Sequence, residues 1–383
     1  LANTIEETKE ELTRLLSFYE TYDAAHDEID RSVEALRGME QEMSQIANPL
    51  HDLTIATFFP LNLPLYSLIL FGIAPSVFAK QVFIRPPEVM HDMLSKLWES
   101  FNIPGLFPNI YLKPTPRHIF IQIYASDADV IIFTGKYQNA QIIHRQCPNS
   151  LLVYNGSGIN PFVLFKDADI DLAVKKAIEM RCFNSGQDCA GPDAFFVPSS
   201  MADAFVSKLE AGVKQLKIGF TTDPETNIGP TIKEAYVSEV QDWLKDHHSH
   251  VIYGGEIDRE HNYVHPTIIR EQVAEQGKKE FHEFFAPFFF VLEYPDDQTL
   301  EETLLGSKFQ ERGMYISIFG HNPALEKKLD FVKLLRNQIV NDVERGNQEY
   351  GGYGSQSNFL LFGGRKVVKP VLVSRDIHLM LKP

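Results

Sequence analysis

The chain has 383 residues, 44% of them hydrophobic and 23% charged, which is ordinary for a globular protein and long enough for two domains. A formal net charge of −15 disfavours nucleic acid and anionic membrane surfaces as partners. The three cysteines, Cys147, Cys182 and Cys189, cannot all pair, so reduced thiols and a cytoplasmic location are expected, and no signal peptide is expected to start at residue 1.

Residues 5–46 read as helix. Leu12, Leu15, Leu16 and Tyr19 form one apolar face, and Ile29, Val33, Leu36, Met39 and Met43 form another. Each helix should therefore lie on a surface with one stripe buried. Residues 53–60 read as a buried strand. The uncharged stretch 61–79 approaches the length of a membrane span. Pro64 and Pro75 interrupt it and Asn62 and Gly72 dilute it, so a buried helix is expected instead. A second strand at 82–84 ends at Arg85-Pro86-Pro87-Glu88. A helix follows over 88–101, and further strands are expected at 109–112 and 130–133, with a short element at 119–124 between them. Strands alternating with helices at these lengths indicate a parallel sheet with helices on both faces. Such sheets bind ligands beyond the carboxyl ends of their strands, where Asn62, Arg85 and Thr134-Gly135 fall.

A strand at 151–154 leads into Asn155-Gly156-Ser157-Gly158, weak evidence for phosphate binding because Pro161 follows instead of a third glycine. A strand begins at 161–165, and Asp167, Asp169 and Asp171 suit the start of a helix carrying Ile170, Leu172, Ala173, Ala177 and Ile178. After that helix comes Phe183-Asn184-Ser185-Gly186-Gln187-Asp188-Cys189-Ala190-Gly191. It places a thiol on a loop of small residues just before the apolar run Phe195-Phe196-Val197. Gly186 and Gly191 let backbone N–H groups approach a ligand. A thiolate is the side-chain nucleophile that needs least activation near neutral pH; a buried structural cysteine is the alternative. Ser199 and Ser200 are positioned to cap a helix to about 216, and 219–230 is a loop. Strands are expected at 288–292 and 315–319, a helix at 322–335, and a last element at 339–341 before the loop Gly351-Gly352-Tyr353-Gly354. The tail over 367–381 alternates loosely and reads as an exposed strand. The expected division is N-terminal helices over 1–50, a dinucleotide-binding domain over 51–157, a thiol domain over 158–355 and an arm over 356–383.

The spacing Asn-x-Gly-Gln-x-Cys around Cys189 resembles the active-site signature of the aldehyde dehydrogenase superfamily. Further segments agree with it in order: Leu216-Lys217-Ile218-Gly219 with Asn227-Ile228-Gly229-Pro230, the stretch 263–267, and Glu283-x-Phe-x-Pro287. The resemblance covers about residues 51–383. It implies an α/β protein with a Rossmann-like parallel-sheet cofactor domain, a second α/β catalytic domain, and a C-terminal oligomerisation strand that adds to a neighbouring subunit. A homodimer or homotetramer is then expected, because an unprotected edge strand invites aggregation.

The same resemblance implies roles. Cys189 attacks the carbonyl of an aldehyde, and the amide of Asn62 with the backbone N–H of Cys189 holds the developing oxyanion. Hydride passes to NAD, leaving a thioester on Cys189. Glu283 would hold the nicotinamide-side ribose and Phe285 would back the ring. Arg85 and Glu88 would meet the adenine ribose; Glu88 favours NAD, whereas Arg85 would also accept NADP. Thr134 and Gly135 retain part of the motif along the diphosphate, with Lys136 as a cation beside them. No metal is implied. Simpler roles stay open for Asn62 (a helix cap), Glu283 (a solvated loop charge), Arg85 (a surface cation) and Lys136 (a solvated lysine).

The departures shape the functional expectation. The family's general-base glutamate falls on Asn155, and an amide cannot take a proton from water. The usual lysine after the asparagine is missing, a later glycine is Ala140, and an arginine that often follows the thiol is Ala194. Asp188 would disfavour a thiolate if it points inward. Three functions follow: an NAD-linked aldehyde-oxidising enzyme, a relative that passes the acyl group to coenzyme A or runs the reverse reduction, and a non-catalytic protein of the same fold kept as a binding partner.

Overall fold

The computed structural model describes residues 1–276 and 281–382. Five apolar runs form β1 (Leu53–Phe58), β2 (Ala79–Arg85), β3 (Ile110–Leu112), β4 (Val130–Phe133) and β5 (Leu151–Asn155). They pair in parallel in the order β3-β2-β1-β4-β5. Every residue of β4 and β5 is buried, which is why these strands read as continuous apolar runs. From β1 the chain builds outward through β2 and β3, then crosses back to lay β4 on the other side of β1. The strand order therefore reverses between β1 and β4. The crevice beyond the carboxyl ends at such a reversal is where open parallel sheets take ligands. Asn62 follows β1 there, and Thr134 follows β4.

The second sheet takes β6 (Pro161–Leu164), β7 (Ala194–Pro198), β8 (Val251–Tyr253), β11 (Thr267–Gln272), β12 (Phe288–Tyr294), β13 (Tyr315–Phe319) and β14 (Lys333–Arg336); β9 (Ile257–Asp258) and β10 (Tyr263–Val264) form a separate ribbon. Its order is β14-β13-β6-β7-β12-β11-β8, with β8 antiparallel. Phe196, Phe288 and Phe290 fill the core on one face, and Phe162, Phe195 and Phe289 fill the other. The chain then returns to the first sheet, where β15 (Asn358–Phe362) lies antiparallel to β5 and β16 (Arg365–Val368) pairs with β15 as the outermost strand.

The stretch expected to be a buried helix after β1 is one. Pro64–Leu68 runs into a wider turn over Ile69–Ile73 and then Ala74–Ser76. Pro75 has no N–H to offer the Phe71 carbonyl, and the Thr57 hydroxyl donates to that oxygen instead at 2.9 Å. Among the described residues no helix is long and apolar enough to cross a membrane.

Three elements differ from the sequence reading. Ser199 does not cap a helix: its hydroxyl donates to the Tyr294 carbonyl, and the next helix, Ala202–Val213, starts from Met201 with no side-chain cap. The helix expected over 322–335 is reduced to Pro323–Glu326, because β13 recruits Lys333–Arg336 as a parallel edge strand. Tertiary pairing overrides local preference there. The tail is strand only to Val368; Val373–Leu381 is a helix that buries Ile377 fully. The loose alternation concealed a four-residue spacing of Val373, Ile377 and Leu381. The Asp376 carboxylate accepts from Leu372 N at 2.9 Å and pins the helix start.

The N-terminal helices Ala2–Glu7, Lys9–Leu16 and Tyr22–Ser44 share one core with the first sheet: Ile5, Leu16, Ile29 and Val33 pack in the same cluster as Ile55, Ile84 and Val153. The buried stripe of Tyr22–Ser44 also carries Glu28, Arg31 and Glu42. Glu28 accepts from Leu65 N at 2.5 Å and Tyr66 N at 3.3 Å, satisfying the free donors of the helix that follows Asn62. Burial pushes Glu28 up to about 7. Burial, with the Glu28 charge adding to it, holds Glu20 well above the usual carboxylate range.

The folded chain thus keeps a proton on Glu28 between its ordinary value of 4.5 and about 7. The unfolded chain has lost that proton, so this contribution to stability is complete below the lower value and disappears as pH rises through the upper one. Glu28→Gln keeps the acceptor for Leu65 and Tyr66 but removes the titration. Denaturant melts between about pH 5 and pH 8 should show stability falling with pH in the parent chain and a flatter line in the variant. Parallel lines would contradict the assignment.

Candidate active site

The helix Ile170–Cys182, capped by Asp169 through Leu172 N at 3.1 Å, delivers the thiol loop. Its last turn buries Arg181 completely. The guanidinium donates to the carbonyls of Gly186, of Pro192 at 2.9 Å and of Phe284 at 2.9 Å, with the Asp193 carboxylate 4.0 Å away. One cation therefore ties both flanks of the thiol loop to the loop that carries Glu283 and Phe285. Gly186 adopts φ +78°, and a Cβ there would lie 2.4 Å from the carbonyl carbon of Ala286. Only glycine fits that approach. Asn184 and Ser185 also hold positive φ, 46° and 60°. Their side chains are engaged: Asn184 Oδ1 accepts from Thr21 N at 3.4 Å, and Ser185 Oγ accepts from Gly229 N at 2.8 Å. Gln187 Oε1 accepts from Ile232 N at 2.7 Å. Asn160 Nδ2 donates to the Cys189 carbonyl at 2.8 Å.

Cys189 is half-buried and opens on a cavity that Asn62, Thr134 and Asn155 also line, at the crevice between β1 and β4. Its Sγ lies 3.1 Å from the Tyr350 hydroxyl. Burial pushes the thiol well above its ordinary value, and the charges of Asp188 and Glu283 add to the rise. Asp188 does point inward: it is buried, and its Oδ1 accepts from Ala190 N at 2.7 Å. The Asn155 side chain is buried at the end of β5, where its Oδ1 accepts from Asn358 Nδ2 at 2.8 Å. Asn62 does not cap a helix; Leu63 occupies that position and no side chain bonds there. Across the cavity Arg31 pairs with Asp27 and with Glu344 at 2.8 Å, and Glu344 also accepts from the Tyr66 hydroxyl at 2.8 Å.

The expected cofactor residues fall into separate groups. Lys136 and Glu283 line a second cavity with Ser157 and Arg312. Glu283 is not a solvated charge: its side chain is 8% exposed, with Oε2 3.9 Å from Arg312 Nη2. Burial pushes its carboxyl up to about 8, with the Asp193 charge adding and Arg312 opposing. Lys136 is exposed and pairs with Glu239 at 2.9 Å. Phe285 stacks on Tyr236 with ring centroids 5.0 Å apart, and both line a small cavity with Asn62. Arg85 Nε donates to the Thr115 carbonyl at 3.2 Å, and its guanidinium is depressed by burial and then by the Arg117 charge; Glu88 is exposed nearby. Gly135 adopts φ +144°, and its carbonyl accepts from the Tyr154 hydroxyl at 2.8 Å. Thr134 Oγ1 and Glu283 Oε1 are buried with no hydrogen-bond partner among the described residues.

Sequence reasoning missed Arg181, Asn160, Tyr350 and Asn358. Arg181 had a signal: it continues the apolar row of Val174 and Ala177, where a charge is out of place unless it has buried partners. Removing it takes the guanidinium donors from the carbonyls of Gly186, Pro192 and Phe284 and leaves Asp193 with its bonds from Asn160 but without this cation. Arg181→Leu should therefore lower the unfolding free energy by about 3–5 kcal/mol in denaturant titration. A loss below about 1 kcal/mol would mean that the guanidinium does not hold the loops.

The aldehyde dehydrogenase family model matches residues 1–359. The lactaldehyde dehydrogenase of Methanocaldococcus jannaschii is 25% identical over 386 aligned positions, covering 92% of this chain and 80% of that protein. A probable NADP+-dependent succinate-semialdehyde dehydrogenase of Sinorhizobium fredii is 24% identical, covering 76% of this chain and 60% of that protein. The matched part spans 50% of the betaine aldehyde dehydrogenase of Bacillus subtilis and 39% of the human 2-aminomuconic semialdehyde dehydrogenase. The crystal structure of succinic semialdehyde dehydrogenase from Streptococcus pyogenes, solved with NADP+, superposes with a TM-score of 0.83 at 19% identity, covering 98% of this chain and 86% of that one. At that identity the likeness speaks for the fold. Taken with the match along nearly the whole sequence, it leads to one assignment: this chain is a member of the aldehyde dehydrogenase family.

Proposed function

We propose that the chain oxidises an aldehyde with NAD or NADP through a covalent intermediate on Cys189. The observation that carries this reading is the cavity itself. The thiol, the Asn62 amide and Thr134 share it at the reversal point of a parallel sheet. The Cys189 sulfur attacks the aldehyde carbonyl carbon, and the Asn62 amide with the Cys189 backbone N–H holds the oxygen as it becomes anionic. Such a donor is worth about 3 kcal/mol of barrier. A bound nicotinamide ring supplies the hydride acceptor, and a thioester remains on Cys189.

The cofactor fits the residues present. Glu283 Oε1 and Thr134 Oγ1 are buried polar atoms without a hydrogen-bond partner among the described residues, the condition expected of groups that meet ligand hydroxyls or phosphate. Phe285 would back the ring once Tyr236 gives way. Arg85 with Arg117 suits a phosphate and Glu88 opposes one, so NAD and NADP both belong in the assay. The cavity walls include Leu70, Phe71, Ala74 and Val373, and Arg31 is already paired with carboxylates. Both features support an aldehyde with an uncharged apolar tail.

A second reading concerns the acyl acceptor. The Asn155 amide is engaged with Asn358 and cannot accept a proton from water. A thiol needs less help than water, so transfer to a thiol such as coenzyme A is favoured over hydrolysis. Mixing the chain with NAD(P) and an apolar aldehyde should give a burst of reduced cofactor no larger than the enzyme concentration and an acyl adduct on Cys189 by mass spectrometry. Coenzyme A should then restore turnover, and Cys189→Ala should give no burst. Absence of both burst and adduct in the parent chain would leave the non-catalytic reading. Steady turnover without a thiol would restore the hydrolytic one.

All three cysteines are free, which supports a reducing, cytoplasmic compartment. The outer strand β16 leaves an open sheet edge, which supports self-association into a dimer or tetramer. Light scattering should give at least twice the chain mass; a monomer would remove this expectation.

A further inference from the structure

Tyr350 is the residue that touches the thiol, and nothing in its sequence context marks it for chemistry. Its hydroxyl is held in place from several sides. The backbone of Tyr350 exchanges hydrogen bonds with Val371 at 3.1 and 2.9 Å. Its ring packs edge-on against the buried ring of Tyr315, centroids 5.6 Å apart. The next residue, Gly351, donates its N–H to the Tyr315 hydroxyl at 2.8 Å. The Tyr350 hydroxyl therefore meets Sγ at 3.1 Å by construction of the fold.

What that contact does depends on the charge of the sulfur. Against a neutral thiol, either group can donate. Against a thiolate, only the phenol can donate, and the bond becomes charge-assisted and about twice as strong. The contact therefore favours the thiolate. The surroundings otherwise oppose it: Asp188 and Glu283 both disfavour a negative sulfur. Among the described residues lining this cavity the cation is Arg31, which is committed to Asp27 and Glu344, and Glu344 is bonded by Tyr66. Glu42 is bonded by Ser374 and Asn347. Tyr350 itself stays a phenol, because burial and the neighbouring Cys189 push its ionisation well up.

We propose that the Tyr350 hydroxyl is a catalytic hydrogen-bond donor that stabilises Cys189 as a thiolate before its attack, in a cavity whose described lining offers no uncommitted cation to do so. This rests on Cys189 being the nucleophile. The thiol proton leaves to water in the cavity, the phenol keeps its own, and no bond to Tyr350 is made or broken. Each unit by which a thiol's ionisation is lowered raises the thiolate fraction about tenfold and costs about threefold in nucleophilicity, a net gain of about threefold.

The experiment is alkylation of the full chain by iodoacetamide between about pH 7 and pH 9, below the thiol's ionisation, read at the Cys189 peptide by mass spectrometry. It needs neither aldehyde nor cofactor, so it is independent of whether turnover is found. Tyr350→Phe should slow alkylation about three- to tenfold across that range. A loss of packing alone would open the site and speed alkylation. Fluorotyrosine at position 350, a stronger donor of nearly the same shape, should speed it while the melting temperature is unchanged, and decides the matter alone if Tyr350→Phe does not fold. Equal or faster alkylation in Tyr350→Phe, or no acceleration with fluorotyrosine, overturns the proposal.

Discussion

The site depends on a guanidinium that no solvent reaches. Arg181 is 0% exposed, and its nearest carboxylate, Asp193, is 4.0 Å away and itself pushed up to about 7 by burial. The charge is compensated mainly by carbonyl dipoles from Gly186, Pro192 and Phe284. Those carbonyls come from both flanks of the thiol loop and from the Glu283 loop. A buried cation tolerates no loss of such partners, so the two loops are fixed relative to one another. The glycine at 186 then follows, because the loops approach more closely than any Cβ permits. The geometry of the thiol loop is set here by a residue buried behind it.

The N-terminal helices extend the same logic. Their apolar residues join the core of the first sheet, but their buried charges reach further. Glu28 bonds the start of the helix just past Asn62, Arg31 and Glu42 line the thiol cavity, and Thr21 meets Asn184 in the thiol loop. Asn62 and Cys189 lie on segments 127 positions apart. The helix Tyr22–Ser44 braces both from one side, and this accounts for charged residues on its buried stripe.

Electrostatics give the site its character. Burial, Asp188 and Glu283 all favour a neutral sulfur at rest, and Asn155, which lines the same cavity, has its amide oxygen bonded to Asn358. A thiol in such surroundings is protected from adventitious oxidation and reacts only where a specific contact offsets the penalty. Thr134 Oγ1 and Glu283 Oε1 show the opposite pattern, buried polar atoms without a hydrogen-bond partner among the described residues.

Much of this was legible in the residues alone. Parallel strands buried on both faces must be apolar along their length, so β4 and β5 stood out as runs, and the buried parts of β1 and β2 did so in shorter stretches. Alternation with helices then required a parallel sheet, and with it a ligand crevice near Asn62 and Thr134. The Asn-x-Gly-Gln-x-Cys spacing marked Cys189 through its resemblance to the family's signature, and the glycine in it answers a backbone approach that no Cβ permits. Other features were decided only by tertiary contact. Lys333–Arg336 became a strand because β13 had an open edge to pair, and the tail became a helix because Ile377 found a core to enter. Tyr350 sits 161 positions from the sulfur it touches, and Arg181 holds a carbonyl 103 positions away. Local pattern reports which face of an element is buried; it carries no record of which distant group that face will meet.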